Sequence, residues 1–269
     1  MTHLLNINDI GIVFAFNLFM ISFRYLLFSG TFYLVVWKWK RQSLLNRKIQ
    51  NGFPDRKKII HEVKYSLSTF VIFSIVGVLV FIAKKSGYTQ IYNEFSKYGW
   101  GYFIFSVFAF ILIHDTYFYW SHRLMHHKFL FKFMHKVHHE STDPSPWAAF
   151  SFHPSEAVVE AMIVPLLVFI MPAHPLAILS FLMYMTFMNA LGHLGFELFP
   201  KGSTKHWLLQ WSNTTTHHNM HHKYFNCNYG LYFNWWDQLM KTNHKFYHQK
   251  FDEVTSSDTI DINKENVTV

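Results

Sequence analysis

Residues 122–140, HRLMHHKFLFKFMHKVHHE, carry six histidines, and THHNMHH follows at 216–222. A lone imidazole is more often a satisfied core side chain than a metal ligand, so spacing has to decide. His122 and His126 are four apart, which on a helix puts them on one face, one turn from each other. His135, His138 and His139 form an HxxHH box, and His218, His221 and His222 form a second. Eight neutral imidazoles buried together would need many polar partners, and eight charged ones would repel strongly. Metal ions remove both difficulties. Eight or nine nitrogens are too many for one ion, since zinc takes four ligands and an octahedral site six, so the boxes imply two ions. His193, in NALGH at 189–193, is the expected ninth ligand.

Groups able to orient those rings are close in sequence. Asp115, seven residues before His122, is expected near the same helix face, accepting a ring N–H and fixing a tautomer. His114 is either an inner ligand or an outer donor. His153-Pro154-Ser155-Glu156 has the pattern of a helix start, so Glu156 either caps that helix or supports a ligand, with His153 beside it. Asn189, one turn before His193, His217, next to His218, and Asp237 complete the candidate supporting set. Cys227 is the only cysteine, which leaves no disulfide and no multi-thiolate site.

The elements that hold these residues follow from composition. Hydrophobic residues make up 51% of the chain and charged ones only 15%, so lipid is the natural surrounding. Crossing a bilayer takes roughly 17 to 25 residues of helix. Five apolar stretches approach that length, near 10–37, 66–83, 100–120, 157–172 and 175–194. Arg24, inside the first, reads as snorkelling to the interface. The last two stretches are joined by Met171-Pro172-Ala173-His174-Pro175, where proline stops a helix and makes a hairpin. No basic segment with a cleavage site precedes the first stretch, so it reads as a retained span.

Lys and Arg outnumber Asp and Glu by 24 to 16, a balance that could suggest nucleic acid. Position argues against it. Lys38, Lys40, Arg41, Arg47, Lys48, Arg56, Lys57, Lys58 and Lys64 crowd one loop between spans, as expected of a cytoplasmic loop. With that loop inside, the N-terminus is outside, and the third span and the hairpin both deliver their histidines to the cytoplasmic face. The expected fold class is all-α: a multi-pass integral membrane helical bundle with a cytoplasmic-face helical cap holding a histidine-rich dimetal site. Residues 1–99 read as an N-terminal transmembrane region, 100–248 as the catalytic domain and 249–269 as a flexible tail rich in Asp, Ser, Thr, Asn and Lys. Residues 203–212 read either as an amphipathic helix on the membrane surface or as a helix packed on the protein.

Imidazole suits zinc, copper, iron and nickel alike. A lipid setting argues for iron, because oxidising an unactivated C–H bond needs O2 and a redox metal. HDTYFYWSHRLMH at 114–126, HKVHH at 135–139 and HHNMHHKYFNCNYGLYFNWWDQLM at 217–240 resemble the fatty acid hydroxylase and sterol desaturase superfamily of membrane di-iron oxygenases. DPSPWAAFSFHPSEAVVE, 143–160, resembles its bacterial-type sterol desaturase branch. The resemblance implies two iron ions held by His122, His126, His135, His138, His139, His193, His218, His221 and His222. It also implies O2 as co-substrate and electrons from NAD(P)H through a separate redox protein, a cytochrome b5-like or ferredoxin-type donor with its reductase. The product would be a hydroxylated or desaturated membrane lipid. Asn228, Tyr229, Gly230, Trp236 and Asp237 match the closing motif, where support rather than ligation is expected. Two positions depart from the pattern: Lys241 stands where glycine is common, and Asn189 where some relatives carry a further histidine.

Phe108, Phe110, Met183, Tyr184, Met185, Phe187 and Met188 are candidates to line a lipid groove, or ordinary packing. Two other classes would explain the boxes. A histidine-rich metal carrier would spread its ligands across the membrane, and a zinc hydrolase would show a placed glutamate such as HExxH, which is absent.

Overall fold

The computed structural model describes residues 7–256; positions 1–6 and 257–269 lie outside the described residues, and with them most of the expected tail. In chain order the helices are α1 (Ile7–Trp39), α2 (Arg56–Lys85), α3 (Gly99–Met125), the short α4 (Phe131–Met134) and α5 (Lys136–His139), α6 (Pro154–Ala161), α7 (Ile163–Ile170), α8 (Pro175–Gly192), α9 (Thr215–Tyr224), α10 (Trp235–Leu239) and α11 (Tyr247–Ser256). Strand pairing among the described residues amounts to isolated bridges. The all-α expectation holds.

Helices α1, α2, α3 and α8 are long and apolar enough to cross a membrane. Their outward faces carry exposed Phe16, Phe19, Leu67, Leu79, Phe105 and Phe108, as lipid-facing helices do. Helix α1 loosens into π-helical turns at Leu26–Gly30 and Tyr33–Trp39 without breaking. Helix α2 begins at Asp55, whose carboxylate accepts from the Lys58 amide.

The fourth apolar stretch corrects the sequence expectation. It forms two eight-residue helices, α6 and α7, that part at Met162, and neither could span a bilayer alone. Pro165 explains the break: its ring removes an N–H and clashes with the carbonyl four residues back, at Ala161. The tail is corrected too. Residues Tyr247–Ser256 form a helix whose Tyr247 and Phe251 are buried against Met220, so order extends past 249. Residues 203–212 hold two short 3-10 turns instead of an amphipathic helix, with Trp207 and Leu208 exposed. Arg24 does not snorkel; it is buried.

One hydrophobic core runs from Ile21, Tyr25 and Phe70 through Phe110, Phe150 and Phe181 to Leu231 and Tyr232, so packing crosses position 99 without a seam. The bundle has two distinct ends. At one, Trp37 donates to the Leu194 carbonyl at 2.7 Å, Lys48 pairs with Asp143 at 2.9 Å and Gln50 reaches Asn219 at 2.8 Å. At the other, Tyr102 donates to the Pro172 carbonyl at 3.0 Å and the Tyr92 amide to Ala173. The basic 38–64 loop and both histidine clusters therefore share one end, and the 171–175 turn lies at the opposite one.

Candidate metal centre

All nine predicted ligand histidines converge, and they do so as two sets. His122, His126, His135, His139 and His221 form one; His138, His193, His218 and His222 form the other, and within each set one nitrogen per residue lies within 4.8 Å of all the rest. Each HxxHH box divides between the two. On α5 and its lead-in, His135 and His139 go to the first set and His138 to the second; on α9, His218 and His222 go to the second set and His221 to the first. Residues i and i+4 share a helix face while the neighbour of the last points about 100° away, so one turn of helix serves two centres.

Within each set the ring nitrogens crowd together. Nε2 of His122 is 2.9 Å from Nε2 of His135, and Nε2 of His139 is 3.1 Å from that of His126 and 3.0 Å from that of His221. In the second set, Nε2 of His193 is 3.3 Å from His138, 3.1 Å from His218 and 3.1 Å from His222. For six of the nine rings the other nitrogen faces an acceptor. His122 Nδ1 donates to the Tyr229 carbonyl (2.8 Å), His221 to Cys227 (2.6 Å), His138 to Ser151 (3.3 Å), His193 to Asn189 (2.7 Å) and His222 to Ser141 (2.9 Å). His135 Nδ1 donates to Glu156 Oε1 at 2.6 Å. A carbonyl accepts only, so in the five rings that face one the proton sits on Nδ1 and Nε2 is a bare lone pair. Lone pairs aimed at one another 3 Å apart require a cation between them. An ion with nitrogens at about 2.1 Å holds adjacent octahedral ligands about 3.0 Å apart, so the residues present fit two transition-metal ions.

Electrostatics agree. Burial lowers the basicity of His126, His135, His138, His139, His218, His221 and His222 well below that of a free imidazole, and neighbouring imidazoles add to it. His193 is held down to about 4, mainly by burial, against its bond to Asn189. Neutral rings are the ligand form. Burial, with Glu160 next, pushes the Glu156 carboxyl well above its ordinary range; a cation on His135 would oppose that shift.

The supporting residues divide. Glu156, expected either to cap its helix or to support a ligand, accepts from His135 Nδ1. Asn189 helps through its carbonyl, while its amide donates to Ala149. Asp115 does not touch a metal-set ring: its carboxylate accepts from the amides of Tyr232 (2.8 Å) and Phe233 (3.2 Å) and from Trp235 Nε1 (2.7 Å). Seven residues are two helical turns, so Asp115 sits about 10 Å along the axis from His122 and anchors the returning loop instead. His114 is outside both sets, with Nδ1 2.7 Å from the Tyr232 hydroxyl. His153 caps α6 through the Ser155 amide, and His217 turns to Asn243 at 3.1 Å; neither reaches a set. Asp237 accepts from the Tyr229 and Gly230 amides and from Thr242, which holds the carbonyl that His122 needs. Sequence reading missed the carbonyls of Ser141, Ser151, Cys227 and Tyr229, since a backbone acceptor has no residue signature, and Glu160, whose spacing of four from Glu156 was the available sign.

Fold and site together define a histidine-box membrane-type protein, and the comparisons agree. Residues 107–242, just over half of the chain, match the fatty acid hydroxylase family, and the chain belongs to that family. It is 31% identical over 182 residues to a Delta(7)-sterol 5(6)-desaturase of Gibberella zeae, covering 68% of this chain and 55% of that protein. It is 32% identical over 231 residues to one from Aspergillus fumigatus, covering 79% and 69%. It is also 29% identical over 187 residues to lathosterol oxidase of Homo sapiens, covering 68% and 60%. The chain thus spans little more than half the length of the first of these relatives. No solved structure matches it.

Proposed function

We propose that the protein is a di-iron, O2-dependent oxidoreductase that hydroxylates or desaturates a membrane lipid. Among sterol, fatty acyl and sphingolipid-like substrates a sterol is favoured, because the relatives above are named as sterol desaturases and lathosterol oxidase. The observation that carries the reading is the convergence of nine histidine nitrogens into sets of five and four. Within the sterol side of the family we assign the chain to the bacterial-type branch that 143–160 resembles.

His122, His126, His135, His139 and His221 would hold one iron, and His138, His193, His218 and His222 the other. Together the two irons would supply O2 activation and C–H oxidation. The chain's own part is positional. Carbonyls of Tyr229, Cys227, Ser151, Asn189 and Ser141 fix six rings together with Glu156, so each lone pair is aimed before metal arrives. Phe118 and Phe152 pack 4.9 Å and 5.3 Å from the rings of His122 and His138 and keep bulk water from the lipid side. His126 is the only half-buried member of either set. It borders a cleft of about 290 Å³ with Lys128 and Tyr229, a suitable approach for an acidic electron donor of the cytochrome b5 or ferredoxin type. The histidine end would face the cytoplasm, with the basic loop.

The test is elemental analysis of the detergent-purified protein, alongside O2 consumption with a reductase system and membrane lipid extract. Two irons per chain and lipid-dependent O2 uptake are expected. Redox-inert ions with no uptake after iron reconstitution would overturn the reading.

A further inference from the structure

An apolar cavity of about 380 Å³ lies between α1, α2, α6, α7 and α8. Its walls are mainly Met20, Val76, Val80, Ile178, Leu179 and Leu182, a size and lining suited to a lipid. Chain direction orients it. Helices α1 and α8 run toward the histidine end, whereas α2 and α6 start there, so the lining residues closest to the histidines are Arg24, Phe73, Glu160 and Met185. Phe73, Glu160 and Met185 also line a second gap of about 10 Å³, with His114, Phe118, Phe152 and Asn189. That gap holds about one water-sized group. Its walls touch both metal sets: Phe118 against His122, Phe152 against His138, and Asn189 bonded to His193. It is a neck between cavity and metal centre.

The neck and the adjoining cavity end are polar where apolar walls would be expected. Arg24 is 4% exposed, Glu160 8% and His114 1%, and Arg24 Nε, Glu160 Oε1 and His114 Nε2 all lack a hydrogen-bond partner. Neither Arg24 nor Glu160 has an ion-pair partner among the described residues. Leaving one such group unpaired is costly, and three around one passage point to a ligand that satisfies them. Arg24 only donates, a carboxyl group accepts and, when protonated, donates, and an imidazole does either. A hydroxyl, both donor and acceptor and about the size of the gap, matches Glu160 and His114 in the neck, with Arg24 on the wall of the adjoining cavity that Glu160 shares.

We propose that Arg24, Glu160 and His114 bind a hydroxyl group of the lipid, which enters hydroxyl first and leaves its apolar body in the larger cavity. The substrate class is then a lipid whose hydroxyl lies only a few bonds from the carbon oxidised, because the neck adjoins the metal sets. This rests on the oxidoreductase reading above, and it deepens it. A water in the neck offers the same chemistry, and the test separates the two.

Binding of tritiated cholestanol and of its deoxy counterpart, cholestane, to the detergent-purified protein reads the hydroxyl directly, with metal content measured on the same samples. The wild type should bind cholestanol on the order of tenfold or more tightly, since a site built for a hydroxyl rejects the analogue lacking it. Glu160→Leu and Arg24→Met should each remove that preference while sparing cholestane binding, and Glu160→Gln should retain most of it. Equal binding of cholestanol and cholestane by the wild type, the result if the neck holds only water, would overturn the proposal; so would a preference that survives both apolar variants. Should a variant fail to fold, the wild-type comparison still decides. Absence of iron with the preference intact would count against the oxidoreductase reading alone.

Discussion

His135 is the ring with the most dependent position: its Nδ1 rests on Glu156 and its Nε2 meets His122. Glu156→Ala leaves that ring free to turn, and a loss of roughly 10- to 100-fold in metal affinity or turnover is expected, with Glu156→Gln milder because an amide oxygen still accepts. Metal titration of the two variants checks this. His138→Ala and His221→Ala, one from each set, should each abolish activity and lower bound metal while leaving insertion into membranes intact; full activity in either would sink the ligand assignment. A different residue carries backbone strain. Lys241 sits at φ 55°, a left-handed conformation that favours glycine, which accounts physically for glycine being common there. Lys241→Gly relieves roughly 1–2 kcal/mol of that strain, though the freer unfolded chain returns about 0.4–1 kcal/mol. The midpoint of thermal unfolding should rise by about 2 °C, and it should not rise in Lys241→Ala, where Cβ remains. Eight of the nine convergent histidines were legible from type and spacing, and His193, which belongs to no box, from its place at the end of the fifth apolar stretch. Their division into two sets was not, since it depends on how α5 and α9 face each other across the centre.

At the scale of elements, the returning segment 227–237 does most to shape the first set, since it offers carbonyls to His122 and His221. Asp115 fastens its far end and Asp237 its near end, so each aspartate acts on the histidines through backbone. The sequence suggested that both matter, but placed Asp115 on the rings themselves: a shared helix face says nothing about distance along the axis. Gly230 is where the segment is tightest. A Cβ there would lie 2.5 Å from the Phe233 carbonyl and 2.9 Å from both Asn213 Nδ2 and Asp237 Oδ2. Gly230→Ala must shift the loop, draw the Tyr229 carbonyl away from His122 and destabilise by roughly 1–3 kcal/mol. A lower thermal midpoint together with weaker metal retention is expected; loss of stability alone would show that the loop does not govern the ring. The four helices long and apolar enough to cross a membrane were legible from apolar length. The α6–α7 break was not, because Pro165 lies inside an otherwise continuous apolar run, and hydropathy does not register a missing N–H. Of the seven residues offered either as a lipid groove or as ordinary packing, Met185 alone lines the cavity, while Phe108 faces outward and Phe110 packs on Phe181.

For the whole molecule, the decisive feature is that the loop rich in Lys and Arg and both histidine clusters occupy one end of the bundle. The excess of positive charge is our ground for proposing that this loop is cytoplasmic, and geometry joins the loop to the centre through Lys48 to Asp143, Gln50 to Asn219 and Trp37 to Leu194. An electron donor in the cytoplasm could then reach His126, whereas a donor on the other side would face the 171–175 turn with the length of the bundle between. Orientation is directly measurable because the chain has one cysteine, Cys227, and it is buried. In a Cys227→Ser background, Ser43→Cys reports the histidine end and Ser86→Cys the opposite one, both at exposed positions. In intact cells an impermeant maleimide should label the Ser86→Cys variant and leave the Ser43→Cys variant untouched until the membrane is opened. The reverse pattern would put the metal sets outside the cell and remove access to cytoplasmic NAD(P)H-linked donors. Labelling of both variants in intact cells would mean that the four apolar helices do not span at all.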